Sequence, residues 1–373
     1  MRKINAVGCA LVATLAVGAT APAFAQDFVG MPKKNRIVGT PGNDQVLGLG
    51  GKDKLYGGDG NDRIEGGAGN DRIHGGNGDD YPLLGGDGKD RIFGEAGADE
   101  ILGGAGNDRI DTGDGADRAY GNEGDDRMRS GNGDPTRVIT TGNNVPIGYE
   151  GATMSGESGN DRLIGGAGND SLYGGEDDDR LKGRGSEDYL EGGGGDDRLL
   201  GGDGNDYLID DDYETLGSGD DVLRGGAGND GFEVYSGRDK AVGGAGDDDF
   251  FSFGAGEDDL FKGGAGNDRF GYSTQPLSGL FKALGGGGDD TFYVGDLDRD
   301  AVVRPGAGND KVYVKNPVKG MRITCGKGAD TVYFNIKVKK VRTKGCESVV
   351  YGNDAFHYDP DGSVPLRHRP SRG

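Results

Sequence analysis

Aspartates recur at nine-residue intervals through most of this chain, each in the same local setting. Residues 57–62 (GGDGND), 66–71 (GGAGND), 103–108, 165–170, 225–230 and 263–268 all read Gly-Gly-x-Gly-x-Asp. Two places after each Asp stands an apolar residue: Ile64, Ile73, Ile110, Leu172, Phe232 and Phe270. The unit is thus Gly-Gly-x-Gly-x-Asp-x-U-x, with U apolar. Stacking such units brings carboxylates of successive turns together. At about 5 Å and an effective dielectric near 20, each pair repels by roughly 3 kcal/mol. A hard divalent cation reverses that sign. Calcium accepts about six to eight oxygens in flexible geometry, backbone carbonyls included, whereas magnesium keeps its waters and a tight octahedron. The spacing therefore points to calcium ligation.

The sixth-position aspartates form two blocks. In block one, residues 37–134, they are Asp44, Asp53, Asp62, Asp71, Asp80, Asp90, Asp99, Asp108, Asp117 and Asp126. One residue is inserted near Pro82, and the phase puts that proline in the apolar position. Residues 135–155, opening at Pro135, lack the repeat and read as a loop or linker. Block two, residues 156–293, carries Asp161, Asp170, Asp179, Asp188, Asp197, Asp206, Asp221, Asp230, Asp239, Asp248, Asp258 and Asp268, with a last clean copy ending in Asp290. It holds insertions at residues 210–215 and 272–284. All of these except Asp239 are the candidate metal ligands.

Positioning the carboxylates requires turns and short strands. Glycines take the backbone conformations and crowded sites that other residues occupy only at a cost. An x-U-x triplet turns one side chain inward and two outward, so a nonad is half a coil, with six residues of turn and three of strand. One buried aliphatic side chain per nonad, about 1.5–3 kcal/mol, is small beside the entropy of ordering nine glycine-rich residues. The core alone does not hold such a stack, and the cation must contribute. The predicted fold class is all-β, a parallel β-roll or β-solenoid.

Composition agrees. Gly makes up 81 of 373 residues, Trp is absent and the net charge is −22, which argues against nucleic acid as a partner. Residues 1–25 read as a signal peptide: Arg2 and Lys3, an apolar run over 6–17, and Ala23-Phe24-Ala25 before a mature start at Gln26. The chain is expected to be secreted. A lipoprotein reading of Val7-Gly8-Cys9 is the lesser alternative, because Cys9 precedes most of the apolar run. No later segment has the ~20 apolar residues of a membrane span. With Cys9 removed, Cys325 and Cys346 remain, and an oxidising compartment favours a bridge between them, worth roughly 3 kcal/mol, over two buried thiols. Of the 28 Phe and Tyr residues, 17 follow residue 228, so the last third should be wider and better filled. Residues 294–351 keep only traces of the unit, Asp300, Asp310 and Asp330, and read as a cap. Within it residues 334–339 (FNIKVK) alternate as a half-buried strand. Residues 352–373 read as a mobile tail.

These nonads resemble the haemolysin-type calcium-binding repeats of the repeats-in-toxin (RTX) family over about 39–134 and 156–293. The resemblance implies two nonads per turn of a parallel β-roll and calcium ions held between turns by carboxylates and turn carbonyls eighteen residues apart. Asp62 would then share an ion with the turn at residues 78–80, and Asp71 with that at 88–90. Many relatives carry a protease, lipase or pore-forming domain, for which the arrays and cap leave no room here. The C-terminal sequence, residues 367–373 (RHRPSRG), differs from the family's uncleaved export signal, and the chain is closer to standalone secreted repeat proteins.

Other chemistry is absent. There is no H-E-x-x-H, G-x-S-x-G or G-K-[ST] motif. His74, the only histidine within the arrays, falls in an outward, exposed position. Residues 296–307 begin like an EF-hand loop but place Ala301 and Ala307 where that loop needs Gly and Glu. Paired carboxylates leave a glycosidase-like site open, and metal ligation is their simpler use. The function expected is extracellular calcium binding in a structural or adhesive, non-enzymatic protein, with action on an extracellular polysaccharide as the alternative. From Lys311 to Lys344 ten basic residues face one acid. Lys337, Lys339, Lys340 and Arg342 are the candidate contacts to an anionic surface polysaccharide.

Overall fold

The computed structural model of the chain describes residues 4–5, 25–131, 134–140, 146–211, 219–253, 256–272, 276–297, 299–337 and 341–352. Most of the expected leader, the pair Lys339 and Lys340, and residues 353–373 lie outside these. Among the described residues there are 35 strands and no helix, so none is long and apolar enough to cross a membrane.

Nearly every strand pairs in parallel with the strand two further along the chain. Leu55 lies beside Ile73 and Ile73 beside Ile92 in one ladder; Ile64 lies beside Leu83 and Leu83 beside Ile101 in the other. Two strands make one coil, and the coils stack as a parallel β-solenoid, the predicted class. The U residues form a buried row from each ladder, from Val46 and Leu55 at one end to Ile323 and Val332 at the other.

The strands are longer than the predicted triplet. Arg63–Ala68 buries Ile64 and Gly66 in alternation, and the ladder continues through Gly67 beside Gly86 and Ala68 beside Asp87. The paired glycines thus serve strand and turn together. Two local readings are corrected. Leu83, not Pro82, fills the apolar position, fully buried between Ile64 and Ile101, and Pro82 is the inserted residue. His74 is not freely exposed: its ring stacks between Tyr56 and Phe93 at 4.9 and 4.7 Å and meets Glu95 at 2.7 Å.

The break in phase after Pro135 does not interrupt the stack. Asp134–Thr140 and the start of Pro146–Ser158 pair antiparallel as a hairpin. From Thr153 the second strand rejoins the parallel ladder, with Met154 beside Ala119 and Leu172. Nor does the ladder stop at residue 293. Val312 pairs with Val332 and Val332 with Val349, so residues 294–351 add further coils, now about twenty residues long. The strand predicted over 334–339 instead ends at Phe334, and Ile336 is exposed. The late aromatics do thicken the core: Phe232, Phe250, Phe270 and Phe292 stack at 4.7, 4.8 and 4.3 Å between ring centroids, within the usual aromatic range.

Candidate metal centres

Each coil has two corners, and each corner ends in a sixth-position residue. On edge one the column runs Asp44, Asp62, Asp80, Asp99, Asp117, then Asp170, Asp188, Asp206, Asp230, Asp248, Asp268, Asp290, Asp310 and Asp330. On edge two it runs Asp53, Asp71, Asp90, Asp108, Asp126, Asp161, Asp179, Asp197, Asp221, Asp239 and Asp259. All are buried. Within a column the carboxylates are tied head to tail: the Asp44 amide donates to Asp62 Oδ1 at 2.7 Å and the Asp62 amide to Asp80 Oδ1 at 2.8 Å. On edge two Asp53 donates to Asp71 and Asp71 to Asp90, both at 2.7 Å.

The second oxygen separates two kinds of corner. In most, Oδ2 is buried with no hydrogen-bond donor, as in Asp62, Asp71, Asp99 and Asp188. In nearly all of these the second residue of the turn is left-handed, with φ 126° at Gly58 and 98° at Gly67; Asp211 and Tyr235, before Asp221 and Asp239, are not. Leu49, Glu95, Asn122, Glu157 and Arg184 adopt φ between 74° and 96° at the same position, although such a backbone costs a non-glycine residue on the order of 1–3 kcal/mol. We call these corners open. In the closed kind the second-position amide turns inward and satisfies Oδ2. Thr40 donates so to Asp44, Gly166 to Asp170 at 2.6 Å and Gly326 to Asp330 at 3.1 Å; none of these three donors is left-handed.

The open corner is a cradle for a cation. A Cβ added at Gly57 would lie 2.2 Å from Asp62 Oδ2 and 2.6 Å from the Gly75 carbonyl oxygen, so the absent side chain leaves a space lined by carboxylate and carbonyl oxygen. Burial raises the carboxyl pKa values, and neighbouring carboxylates raise them further: to about 8 for Asp99 and about 9 for Asp188. A column of buried, donorless oxygens is tolerable only with protons or a cation. All-oxygen ligands of mixed carboxylate and carbonyl type suit calcium. The residues present fit it.

A family profile, the RTX calcium-binding nonapeptide repeat, matches residues 29–64, 56–81, 84–119, 102–136, 147–181, 155–189, 173–208, 215–240, 232–252 and 253–270. This chain belongs to the RTX calcium-binding repeat family. Among curated proteins no relative matches. A solved structure, the hyperactive Ca2+-dependent β-helical antifreeze protein from an Antarctic bacterium, aligns over 90% of this chain and 83% of its own. It does so at 18% identity and a TM-score of 0.23.

The RTX columns contain all but one of the aspartates predicted as ligands. Asp258 is the exception: it is exposed, left-handed and paired with Lys282, while buried Asp259 takes the column position and accepts the Asp239 amide. The ladder shifts register between Glu257 and Asp259, which spacing alone does not fix. Asp239, Asp310 and Asp330 join the columns although the ligand set omitted them; their D-x-U step was the available signal. The fifth-position ladder went unread: Asn61 donates its amide to Asn43 Oδ1 and Asp79 to Asn61 Oδ1. Cys325 and Cys346 form a disulfide with Cα atoms 5.2 Å apart, and Cys325 occupies the first position of the turn ending in Asp330. Lys337 and Arg342 are exposed, but Lys337 sits over the Tyr351 ring rather than in a row along a strand.

Proposed function

We propose that this RTX chain is a secreted calcium-binding scaffold that folds as several ions enter its open corners and then serves a structural or adhesive, non-enzymatic role at a cell surface. The observation that carries this reading is the pair of buried columns in which most Oδ2 atoms have no donor. The ligands would be the open-corner aspartates together with first-position carbonyls of the adjoining coil. Circular dichroism at alkaline pH tests it: a β spectrum in millimolar calcium, a disordered one in chelator, and a much weaker response to magnesium. Unchanged β content after exhaustive chelation would overturn it.

The adhesive part has its own support. Directly after Asn35 and the edge-two aspartates a file of cations runs in register: Arg36, Lys54, Arg72, Arg91, Arg109, Arg127, Arg162, Arg180 and Arg198. Apart from Arg72 they are exposed, and none makes an ion pair within the described residues. The matching file on edge one is mixed, with Gln45, Arg63, Glu100, Arg118, Thr153 and Ser171, so folding does not require a cation at this position. Calcium in the adjacent column would leave the file as a positive stripe with charges about 4.8 Å apart along the stack, suited to a linear acidic polysaccharide. Changing Arg109, Arg127 and Arg162 to Gln should abolish salt-sensitive binding of a polyuronate to the calcium-loaded protein. Equal binding by the variant would remove the stripe from the reading.

A further inference from the structure

Edge two changes character at one corner. Up to Asp197 the first two turn positions are Gly or another residue in the open conformation, as at Gly192 and Gly193. In the next coil those positions are Asp210 and Asp211, followed by an insertion before Asp221 closes the turn. One coil further, the first position is Val234, fully buried where regular corners have glycine. The corner at residues 210–221 is the one part of this column, among the described residues, with buried carboxylates at both the first and the second turn position.

Its geometry differs from that of a repeat corner. Carboxylate oxygens of Asp210, Asp211 and Asp221 lie within 4.8 Å of one another, and all three side chains are buried, Asp210 and Asp211 completely. Asp210 is held in place by the Tyr235 amide at 2.9 Å and the Asp211 amide at 2.7 Å. Asp211 has no donor on either oxygen and Asp221 none on Oδ2; the Ser236 amide faces Asp211 outside hydrogen-bond geometry. A repeat corner offers one such oxygen per coil. Here two residues carry three donorless oxygens between them, and an oxygen of each lies within 4.8 Å of the other and of a third, anchored carboxylate, with no cationic side chain described among them.

We infer that Asp210, Asp211 and Asp221 form a separate calcium site, distinct in its ligands from the nonad sites and the first on the chain to fill. Three carboxylates in place of glycine carbonyls raise the ligand charge, and calcium affinity rises with the number of charged ligands. Filled first, the site ties the coil before the 212–218 insertion to the coil after it, and it gives the remaining corners an ordered stack on which to build. This inference rests on the calcium reading of the family, and its test separates the two.

The test is calorimetric titration of the full chain, stripped by chelator, with calcium chloride. The wild type should show a tight class of about one ion ahead of a larger, weaker class. Asp211→Asn should weaken the tight class at least tenfold, and Asp210→Asn with Asp211→Asn should abolish it. Asp71→Asn, at a regular corner, should reduce only the weaker class. Should the double variant fail to fold at saturating calcium, Asp211→Asn and the charge-preserving Asp211→Glu decide, because only the first should lose the tight class. A tight class untouched by Asp211→Asn would overturn this site while leaving the family reading intact, whereas a wild type that takes up no calcium would overturn both.

Discussion

The two edges of the solenoid close the same backbone corner by different means. Edge one stays acidic from Asp44 to Asp330 with one interruption, Ala152, which stands beside Asp117 in register. Edge two is acidic only to Asp259. In the four following coils its sixth position holds Phe281, Ala301, Met321 and Val341, and its first position holds Tyr272, Val294, Val314 and Phe334. Except for the half-buried Val341 these are buried. The corner thus needs its interior filled, and either a cation between carboxylates or a plug of apolar side chains will do. On the function proposed above, the first couples folding to calcium. The second leaves those coils dependent on ordinary packing, with the disulfide at Cys325 and Cys346 added at the end.

The largest expected contrast follows from that difference. In chelator, hydrogen exchange should show the coils of residues 37–211 losing all protection. Residues 291–351, with one apolar edge and a disulfide, should keep measurably more. Uniform loss along the chain would mean that the apolar corners contribute nothing of their own.

Protons should partly replace calcium at the acidic corners. Without metal, burial lifts the folded-state pKa of Asp62 to about 6, of Asp290 to about 8 and of Asp221 to about 9, all from 3.8. A raised folded pKa means that the native state holds protons which the unfolded chain has released. The stability they provide is present below about pH 4 and lost as pH climbs through about 6 to 9. In chelator the β signal should therefore be strong at pH 4 and gone by pH 9, while millimolar calcium should preserve it at neutral and alkaline pH. A metal-free signal that is flat with pH would contradict the picture of buried, uncompensated carboxylates.

Single substitutions sharpen the comparison. Met321→Ala at an apolar corner should cost about 2–5 kcal/mol and leave calcium stoichiometry unchanged. Asp71→Ala at an open corner should lower the stoichiometry, and Asp330→Ala at a closed corner should not, as calorimetry would show. Equal loss of calcium for the two aspartates would erase the distinction between open and closed corners. The smallest effect concerns strain. Leu49, nearly half exposed with φ 78°, should give about 1 kcal/mol of added stability in calcium when replaced by glycine, read from the midpoint of denaturant unfolding.

Much was legible because the repeat is a local code. Nine-residue spacing, the U position two places past each Asp and the density of glycine determine strand, turn and inward face together. They place Asp62 and Asp80 in one column and Asp71 and Asp90 in the other without any long-range information. The pairing of Cys325 with Cys346 followed from there being two cysteines outside the expected leader. Where the spacing slips by a residue or two, the code is silent. Only the ladder decides that Leu83 rather than Pro82 turns inward, or that Asp259 rather than Asp258 enters the column, because strand register is set by which side chains neighbouring coils can bury. The sequence likewise does not say which corners are open. That depends on whether the second-position amide points towards or away from the carboxylate, as the contrast of Gly166 with Gly175 shows. The meeting of Asp210, Asp211 and Asp221 across an insertion is a tertiary fact too. Residues eleven apart come within ligand distance only because stacked coils on either side hold both ends of the insertion at one corner.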